Sequence, residues 1–231
     1  MIMADLWPRA YHYCQLVAPT NHNRSMHLQL VKALEDTARA GGPTLPGVRG
    51  HDVQLYSTDL HLTATVADFL AAGVRMGQPV VVIATEAHRR AFQEELRARG
   101  LDMDALMSDR DGIWLDARTT LSAFMEGRAP DRELFMATVG NVFEQVLKKR
   151  YYLIVRGYGE MVDLLWKDGN TEGALQVEAL WNELADKYAY SLLCGYAMDN
   201  FLCEAGAEGF RRVCEHHTHA LPFEKQLNES A

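Results

Sequence analysis

The chain has 231 residues, of which 48% are hydrophobic and 23% charged, a balance that supports a packed core and excludes a globally disordered protein. Asp and Glu outnumber Lys and Arg by 31 to 23, so the formal net charge is −8. No basic stretch is long enough to form a nucleic-acid-binding face, and we therefore expect no direct binding to DNA or RNA.

The start of the chain shows no targeting or membrane segment. Its first twenty residues contain Asp5 and Arg9 and no apolar core, and the longest strongly apolar run, Val80–Ala84, is too short to cross a bilayer. The four cysteines have no CxxC spacing and are expected to be free thiols. These features predict a soluble, cytoplasmic protein without membrane contact.

Residues 1–50 are predicted to form a helical extension and a linker. Arg24–Ala40 has a helical pattern that places Leu30, Val31 and Leu34 on one face, and a Gly- and Pro-rich stretch follows it. A single amphipathic helix cannot bury its own apolar face. We expect it to dock on the main domain or on another chain, and a homodimer is one such arrangement.

From His51 onward, strands alternate with helices. The predicted strands are Val53–Tyr56, Pro79–Thr85, Ile113–Leu115, Tyr151–Val155 and Ser191–Cys194. The predicted helices are Asp59–Gly73, Glu86–Arg99, Thr119–Glu126, Asp131–Lys149, Glu160–Lys167, Thr171–Tyr188 and Ala207–His216. This alternation predicts a three-layer α/β fold, with a mostly parallel central sheet of five or slightly more strands flanked by helices. The continuous apolar segments Val80–Ala84 and Tyr152–Val155 are expected to be inner strands.

Ligands of open α/β sheets bind where the strands end at their carboxyl edge. The segments that follow the predicted strands are Tyr56–Thr58, Glu86–His88, Asp116–Arg118, Arg156–Glu160 and Gly195–Ala197. From these and the first helix we take as ligand-binding candidates Tyr56, Ser57, Thr58, His61, Arg156, Tyr158 and Glu160. Arg156 would anchor a polar group and the two tyrosines would form amphipathic walls, whereas the structural alternative is a local Arg156–Glu160 ion pair.

The loop after the first predicted strand lies where a nucleotide-binding α/β protein places its phosphate loop. Residues Ser57–Thr65 contain neither the glycines nor the lysine that cradle a phosphate, and Asp59 would repel one. No GxSxG nucleophile motif or hydrolase-like carboxylate pair is present either. The sequence therefore predicts a protein that is not an enzyme, and an ATPase-like protein with an unconventional phosphate loop is the alternative.

Metal-ligating residue types are concentrated near the end of the chain. Cys214, His217 and His219 are the candidate ligands, but their spacing matches no standard structural zinc motif. A polar helix end explains them more simply, so neither a metal nor another cofactor is predicted. A metal- or redox-responsive switch built on these residues with Cys194 and Cys203 is a further alternative.

Several motifs together resemble one known family. They are His51-Asp-Val-Gln-Leu-Tyr56, Arg156-Gly-Tyr-Gly-Glu-Met161, Glu178-x-Leu-Trp-Asn182, Leu193-Cys-Gly-Tyr196 and Cys214-x-x-His217-Thr-His219. In this order, they resemble the MEDS domain, the methanogen/methylotroph DcmR sensory domain of prokaryotic regulators. The resemblance covers residues 51–224 and leaves residues 225–231 as a C-terminal tail.

The resemblance implies a relationship to the RecA/KaiC-like branch of P-loop proteins, with a degraded nucleotide loop. It also implies a sensory role in signal transduction, in which a perceived signal passes to a DNA-binding or histidine-kinase module. Because no effector module is recognisable in this sequence, we expect a stand-alone sensory protein. It would bind a small molecule or a regulatory partner, such as a histidine kinase or a transcription regulator, at the carboxyl edge of its sheet.

Overall fold

A computed structural model describes residues 49–108, 111–148, 150–151, 153–201 and 206–221. The predicted N-terminal helix and the predicted tail at residues 225–231 lie outside the described residues. The strands are β1 (Gly50–Tyr56), β2 (Val80–Ala84), β3 (Gly112–Asp116), β4 (Met125–Glu126), β5 (Ala129–Pro130), β6 (Val155–Gly159), β7 (Tyr190–Ala197) and β8 (His219–Leu221).

Most of the helices lie between successive strands. They are α1 (Asp59–Arg75), α2 (Glu86–Ala98), α3 (Met103–Ser108), α4 (Ala117–Ser122), α5 (Arg132–Phe135), α6 (Asn141–Leu147), α7 (Met161–Lys167), α8 (Thr171–Leu184) and α9 (Gly206–Glu215). A π-helical turn, Met136–Gly140, joins α5 to α6, and a 3₁₀ turn, Met198–Phe201, follows β7. None of the described helices is both long enough and apolar enough to span a membrane.

The central sheet has six strands in the order β3-β2-β6-β7-β1-β8, and every pairing in it is parallel. Helices α1, α2 and α3 contribute to the core on one face, whereas α4 to α9 contribute to the core on the other. The expected α/β architecture, a parallel sheet between two helical layers, is therefore confirmed. Strands β4 and β5 form a separate small antiparallel hairpin.

The local sequence explains why several elements begin where they do. The side chains of Thr58, Thr85 and Asp116 accept hydrogen bonds from backbone N–H groups in the first turns of α1, α2 and α4. These contacts satisfy amides that have no partner inside the helix. Val80–Ala84 is fully buried as β2 between two neighbours, as its continuous apolar pattern predicts.

The fourth predicted strand is wrong in position. Its apolar run Tyr151–Val155 mostly precedes the strand, and Tyr151 is 62% exposed, whereas β6 has the sequence Val-Arg-Gly-Tyr-Gly. Gly157 fits this inner strand because a Cβ there would already lie 3.0 Å from Leu192 Cδ1. Close packing at this inner position thus requires a small residue, which the more apolar preceding segment does not supply.

Candidate functional site

At two places along the carboxyl edge of the sheet, neighbouring strands connect to helices on opposite faces. The connections after β1 and β2 run over the α1–α3 face, whereas those after β6 and β7 run over the opposite face. Since β1 neighbours β7 and β2 neighbours β6, a crevice is expected beyond each of these pairs. Buried carboxylates lie at both.

Glu160 follows β6 directly and is 1% exposed. Its carboxylate accepts hydrogen bonds from the Thr85 backbone N–H at 2.5 Å, from His88 Nδ1 at 2.6 Å and from the Tyr158 hydroxyl at 3.0 Å. His88 Nε2 in turn lies 3.4 Å from Asp59 Oδ1. We call Asp59, Thr85, His88, Tyr158 and Glu160 the Glu160 network.

The charges in the Glu160 network support one another. Burial lowers the pKa of His88, but the hydrogen bond to Glu160 and the charges of Glu160 and Asp59 outweigh it, so the net shift is upward. Burial raises the pKa of Glu160, but the hydrogen bond and charge of His88 outweigh that effect and lower it. Their hydrogen bond therefore favours the imidazolium form of His88 and the carboxylate form of Glu160, at the sheet edge where the His88 side chain is 12% exposed.

Asp163, in the first turn of α7, forms the corresponding network beyond β1 and β7. Its carboxylate accepts hydrogen bonds from the Tyr56 hydroxyl at 3.2 Å, the Ala197 N–H at 2.9 Å and Asn200 Nδ2 at 2.7 Å, and Lys167 Nζ lies 2.7 Å away. We call these five residues the Asp163 network. Burial and the Asp163 charge raise the pKa of Tyr56, so its hydroxyl remains a proton donor.

The two networks meet at Tyr56. Its ring lies edge-on to the His88 ring, with 6.1 Å between centroids. The rim beside this contact is solvent-exposed: Ser57 and Thr58 are exposed, and the apolar side chain of Leu60 is 82% exposed. An acid–base pair, a buried aspartate and an exposed apolar side chain thus lie together at this edge.

The structure brings together part of the predicted ligand-binding set. Tyr56, Ser57, Thr58 and Glu160 all lie at the carboxyl edge, and Thr58 caps α1 by accepting a hydrogen bond from the His61 N–H at 3.2 Å. The His61 ring lies 3.5 Å from Gln54 Nε2. Tyr158 lies inside β6, but its hydroxyl reaches the edge through its bond to Glu160.

Arg156 was predicted to follow a strand, but in the structure it is the second residue of β6. Its guanidinium donates to Gln78 Oε1 at 3.2 Å and to Ser191 Oγ at 3.0 Å, and it lies 4.4 Å from the Phe69 ring centroid. Burial lowers its pKa to about 10, partly offset by Asp52. The shift of β6 along the chain therefore moves Arg156 towards the amino end of the sheet, away from Glu160.

His88 and Asp163 belong to the site but were absent from the predicted set. His88 lies in one of the segments that follow a predicted strand, so its position was the available signal. Asp163 is the third residue of α7, and nothing in its local sequence distinguishes it from a solvent-facing helix residue. Its role depends on Ala197 and Asn200, which are far along the chain.

A second polar cluster lies within the core on the face of β1 and β7 that is covered by α8. It consists of His51, Glu178, Cys194 and His217, whose potential ligand atoms all lie within 4.8 Å of one another. Burial raises the pKa of the Cys194 thiol and lowers that of His217 to about 4. We call these four residues the Glu178 cluster.

Only one of the three predicted metal-ligand candidates takes part in the Glu178 cluster. His217 belongs to it, whereas His219 Nδ1 lies 3.0 Å from Asp52 Oδ1 and Cys214 is a half-buried free thiol. His51 and Glu178 were missed as partners because more than one hundred residues separate them in the chain.

The model of one protein family, MEDS, described as the MEthanogen/methylotroph, DcmR Sensory domain, matches residues 50–218. The chain belongs to the MEDS family. Comparison with curated proteins and comparison with solved structures each gave no match. MEDS is a family of sensory domains, with which a sensory role for this chain agrees. The matched residues contain the Glu160 network, the Asp163 network and the Glu178 cluster.

Proposed function

We propose that this MEDS domain is a sensory protein that binds a small polar molecule, or a regulatory partner, at the carboxyl edge without catalysis. The observation that supports this proposal most directly is the junction at Tyr56. There two buried carboxylates, Glu160 and Asp163, lie beside an exposed rim that includes Leu60. Convergent polar groups next to an apolar side chain suit recognition of a ligand with both characters.

The networks also offer a way to transmit a binding event. The Glu160 network joins β6 to α1 and α2 on one face, and the Asp163 network joins α7 on the other face to β1 and β7. A ligand that competes for the His88 imidazole or the Tyr56 hydroxyl would alter contacts of both helical layers. Such a ligand shifts the conformation to the extent that it binds one arrangement more tightly.

We also propose that the domain is a RecA/KaiC-like relative with a degraded phosphate loop. In support, the loop after β1 begins α1 with Asp59, whose carboxylate faces His88. A phosphate at this helix end would meet a negative charge without a lysine to offset it. Accordingly, the proposed output is contact with a histidine kinase or transcription regulator in the cytoplasm rather than nucleotide hydrolysis or direct nucleic-acid binding.

Thermal unfolding of the full chain tests this proposal with three sets of probes: small alcohols, amines and carboxylic acids. A molecule that binds only the folded state at about 100 times its Kd adds about 2.7 kcal/mol, which corresponds to about 5–10 °C in Tm for a chain of this size. We expect a rise of this order with at least one probe. ATP with Mg²⁺, assayed for both Tm and phosphate release, tests the alternative function, an ATPase-like protein with an unconventional phosphate loop.

Matched variants locate the binding. Leu60→Ser changes an exposed side chain at the rim, and His88→Gln removes the imidazole, so both should reduce the probe-induced rise. Arg132→Gln, which breaks an exposed ion pair with Glu183 elsewhere, should leave it unchanged. A rise that persists equally in Leu60→Ser and His88→Gln would place binding at another surface and contradict the proposal.

A further inference from the structure

The Glu178 cluster gathers side chains from four separate parts of the fold. His51 is on β1, Cys194 on β7, Glu178 on α8, and His217 just after α9. Because side chains alternate along a strand, His51 points to the same sheet face as Val53 and Leu55, which is the face covered by α8. The side chains of Glu178 and His217 are fully buried there.

Four interatomic distances in the cluster are close to those around one small metal ion, and all of its potential ligand atoms lie within 4.8 Å of one another. Glu178 Oε2 lies 3.2 Å from His51 Nε2 and 3.5 Å from Cys194 Sγ, and His51 Nε2 lies 3.2 Å from that sulfur. His217 Nε2 completes the group, 3.5 Å from Glu178 Oε1. A tetrahedral Zn²⁺ with bonds of about 2.0–2.3 Å holds its ligand atoms roughly 3.3–3.8 Å apart.

Both imidazoles are oriented by contacts on their far side. His51 Nδ1 donates to Asn182 Oδ1 at 2.9 Å, and the Asn182 amide is itself fixed because its Nδ2 donates to the His216 carbonyl at 2.9 Å. His217 Nδ1 donates to the Val213 carbonyl at 2.7 Å. The Nε2 atom of each ring therefore faces the cluster, where the neutral ring offers a lone pair to a metal, while Nδ1 makes the outer contact that orients a metal-bound histidine.

With both imidazoles neutral, this arrangement holds more acceptors than its hydrogen-bond donors can satisfy. The Nε2 atoms of His51 and His217 both face the Glu178 carboxylate, which also accepts a hydrogen bond from the Tyr196 hydroxyl at 2.9 Å. Among the residues that the structure describes, buried His217 Nε2 has no hydrogen-bond partner. The Cys194 thiol supplies one proton, which cannot satisfy both imidazoles. A cation in their midst would satisfy all of these acceptors at once.

We propose that His51, Glu178, Cys194 and His217 form a closed, four-ligand site for a divalent transition metal of the Zn²⁺ class. Two imidazoles, one thiolate and one carboxylate are ligands of intermediate softness, which suit Zn²⁺ rather than Mg²⁺ or Ca²⁺. On binding, Cys194 releases its thiol proton to water and forms a sulfur–metal bond. The two negative ligands then balance the charge of the ion, so the buried site is neutral.

The site would couple metal binding to the packing of the domain. Its ligands connect β1 and β7 to α8 and to the segment between α9 and β8, and hence the ion would fix parts of the fold that are distant in sequence. It lies on the opposite face from α1 and α2 and does not depend on the ligand proposed for the carboxyl edge. Its four ligands leave no coordination position for a substrate, which distinguishes it from a catalytic metal site.

The experiment titrates Zn²⁺ and Co²⁺ into reduced, chelator-treated full-length protein. We expect one equivalent of either ion to bind, a rise in Tm, and a thiolate-to-cobalt charge-transfer band with Co²⁺. Cys194→Ser and His217→Gln should each weaken binding at least tenfold, whereas Cys214→Ser and His216→Gln, which change neighbouring residues outside the cluster, should not.

Because a ligand variant that misfolds would also lose metal binding, a further variant leaves the cluster intact. In this variant Cys14, Cys203 and Cys214 are all replaced by Ser, so Cys194 is the sole thiol and must produce any charge-transfer band. Retention of the band at one equivalent supports the proposal. Failure of the wild-type chain to take up stoichiometric Zn²⁺ or Co²⁺, or loss of the band in this variant, would overturn it and leave the cluster as a network of protonated imidazoles and a carboxylate.

Discussion

Glu160→Gln and His88→Gln, made singly and together, should reveal the strongest local coupling at the carboxyl edge. Glutamine keeps the shape of Glu160 but removes the charge that accepts hydrogen bonds from Thr85, His88 and Tyr158. Without it, the charged form of His88 keeps only the exposed Asp59 carboxylate as a counter-charge and becomes less favoured. The Tyr158 hydroxyl also faces a weaker acceptor.

Hydrogen bonds to charged groups contribute about 1.5–3 kcal/mol each and are not additive within one network. We therefore expect Glu160→Gln to lower the free energy of unfolding by about 3 kcal/mol at pH 6, or about 6–12 °C in Tm for a chain of this size. The coupling energy between Glu160 and His88 should be about 1–3 kcal/mol.

A second double-mutant cycle, which combines Arg156→Met with Glu160→Gln, is the control for the cycle of Glu160→Gln and His88→Gln. Arg156 is buried and bonded to Gln78 and Ser191, but it lies four residues before Glu160, or about 13 Å along an extended strand. The two substitutions should therefore add within about 0.5 kcal/mol. Urea unfolding of all six proteins followed by circular dichroism measures both couplings. Coupling between Arg156 and Glu160 as large as that between His88 and Glu160 would refute this assignment of partners.

The remaining predictions concern pH and packing. The pKa of His88 is raised on folding, so the stability that its charge contributes is fully present below its ordinary pKa of 6.5 and is lost as the pH rises through the folded value. The stability advantage of wild type over His88→Gln should accordingly shrink between pH 6 and pH 9 in urea titrations, and a constant difference would contradict the charged pair. Gly195→Ala would place a Cβ 2.4 Å from the buried Tyr158 hydroxyl, so we expect a loss of about 1–3 kcal/mol in the same assay. Gly159→Ala is the control, since its Cβ would meet Trp181 at an ordinary 3.8 Å, and equal losses in the two variants would show that glycine is needed for other reasons.

Local sequence was sufficient wherever neighbours along the chain fix the structure. The continuous apolar run Val80–Ala84 predicted a buried inner strand because both faces of a covered parallel strand are apolar. The alternation of strands and helices predicted the parallel sheet, since a parallel connection needs a crossover long enough to hold a helix. The missing glycines and lysine in Ser57–Thr65 were likewise a local observation that did not depend on the fold.

Only the tertiary structure located β6. The sequence favoured Tyr151–Val155 because hydrophobicity is the main strand signal, but the sheet instead contains a segment with one arginine and two glycines. The buried Arg156 guanidinium is stabilised by hydrogen bonds to Gln78 and Ser191 and by the Phe69 ring. These three residues come from other parts of the chain. The prediction of Arg156 as a carboxyl-edge residue was wrong for the same reason.

The Glu178 cluster illustrates the same limit most clearly. His51 lies 131 residues from Asn182, its hydrogen-bond partner, and 143 residues from Cys194, so no spacing rule for metal ligands applies to them. The nearby Cys214 and His219 offered a more compact pattern in sequence, yet the structure places neither in the cluster. The sequence by itself determined which residue types were available and that a parallel sheet flanked by helices would form. Which of them meet was decided by the parallel pairing of β1 with β7 and by the packing of α8 over both, because long-range contacts depend on the whole chain topology.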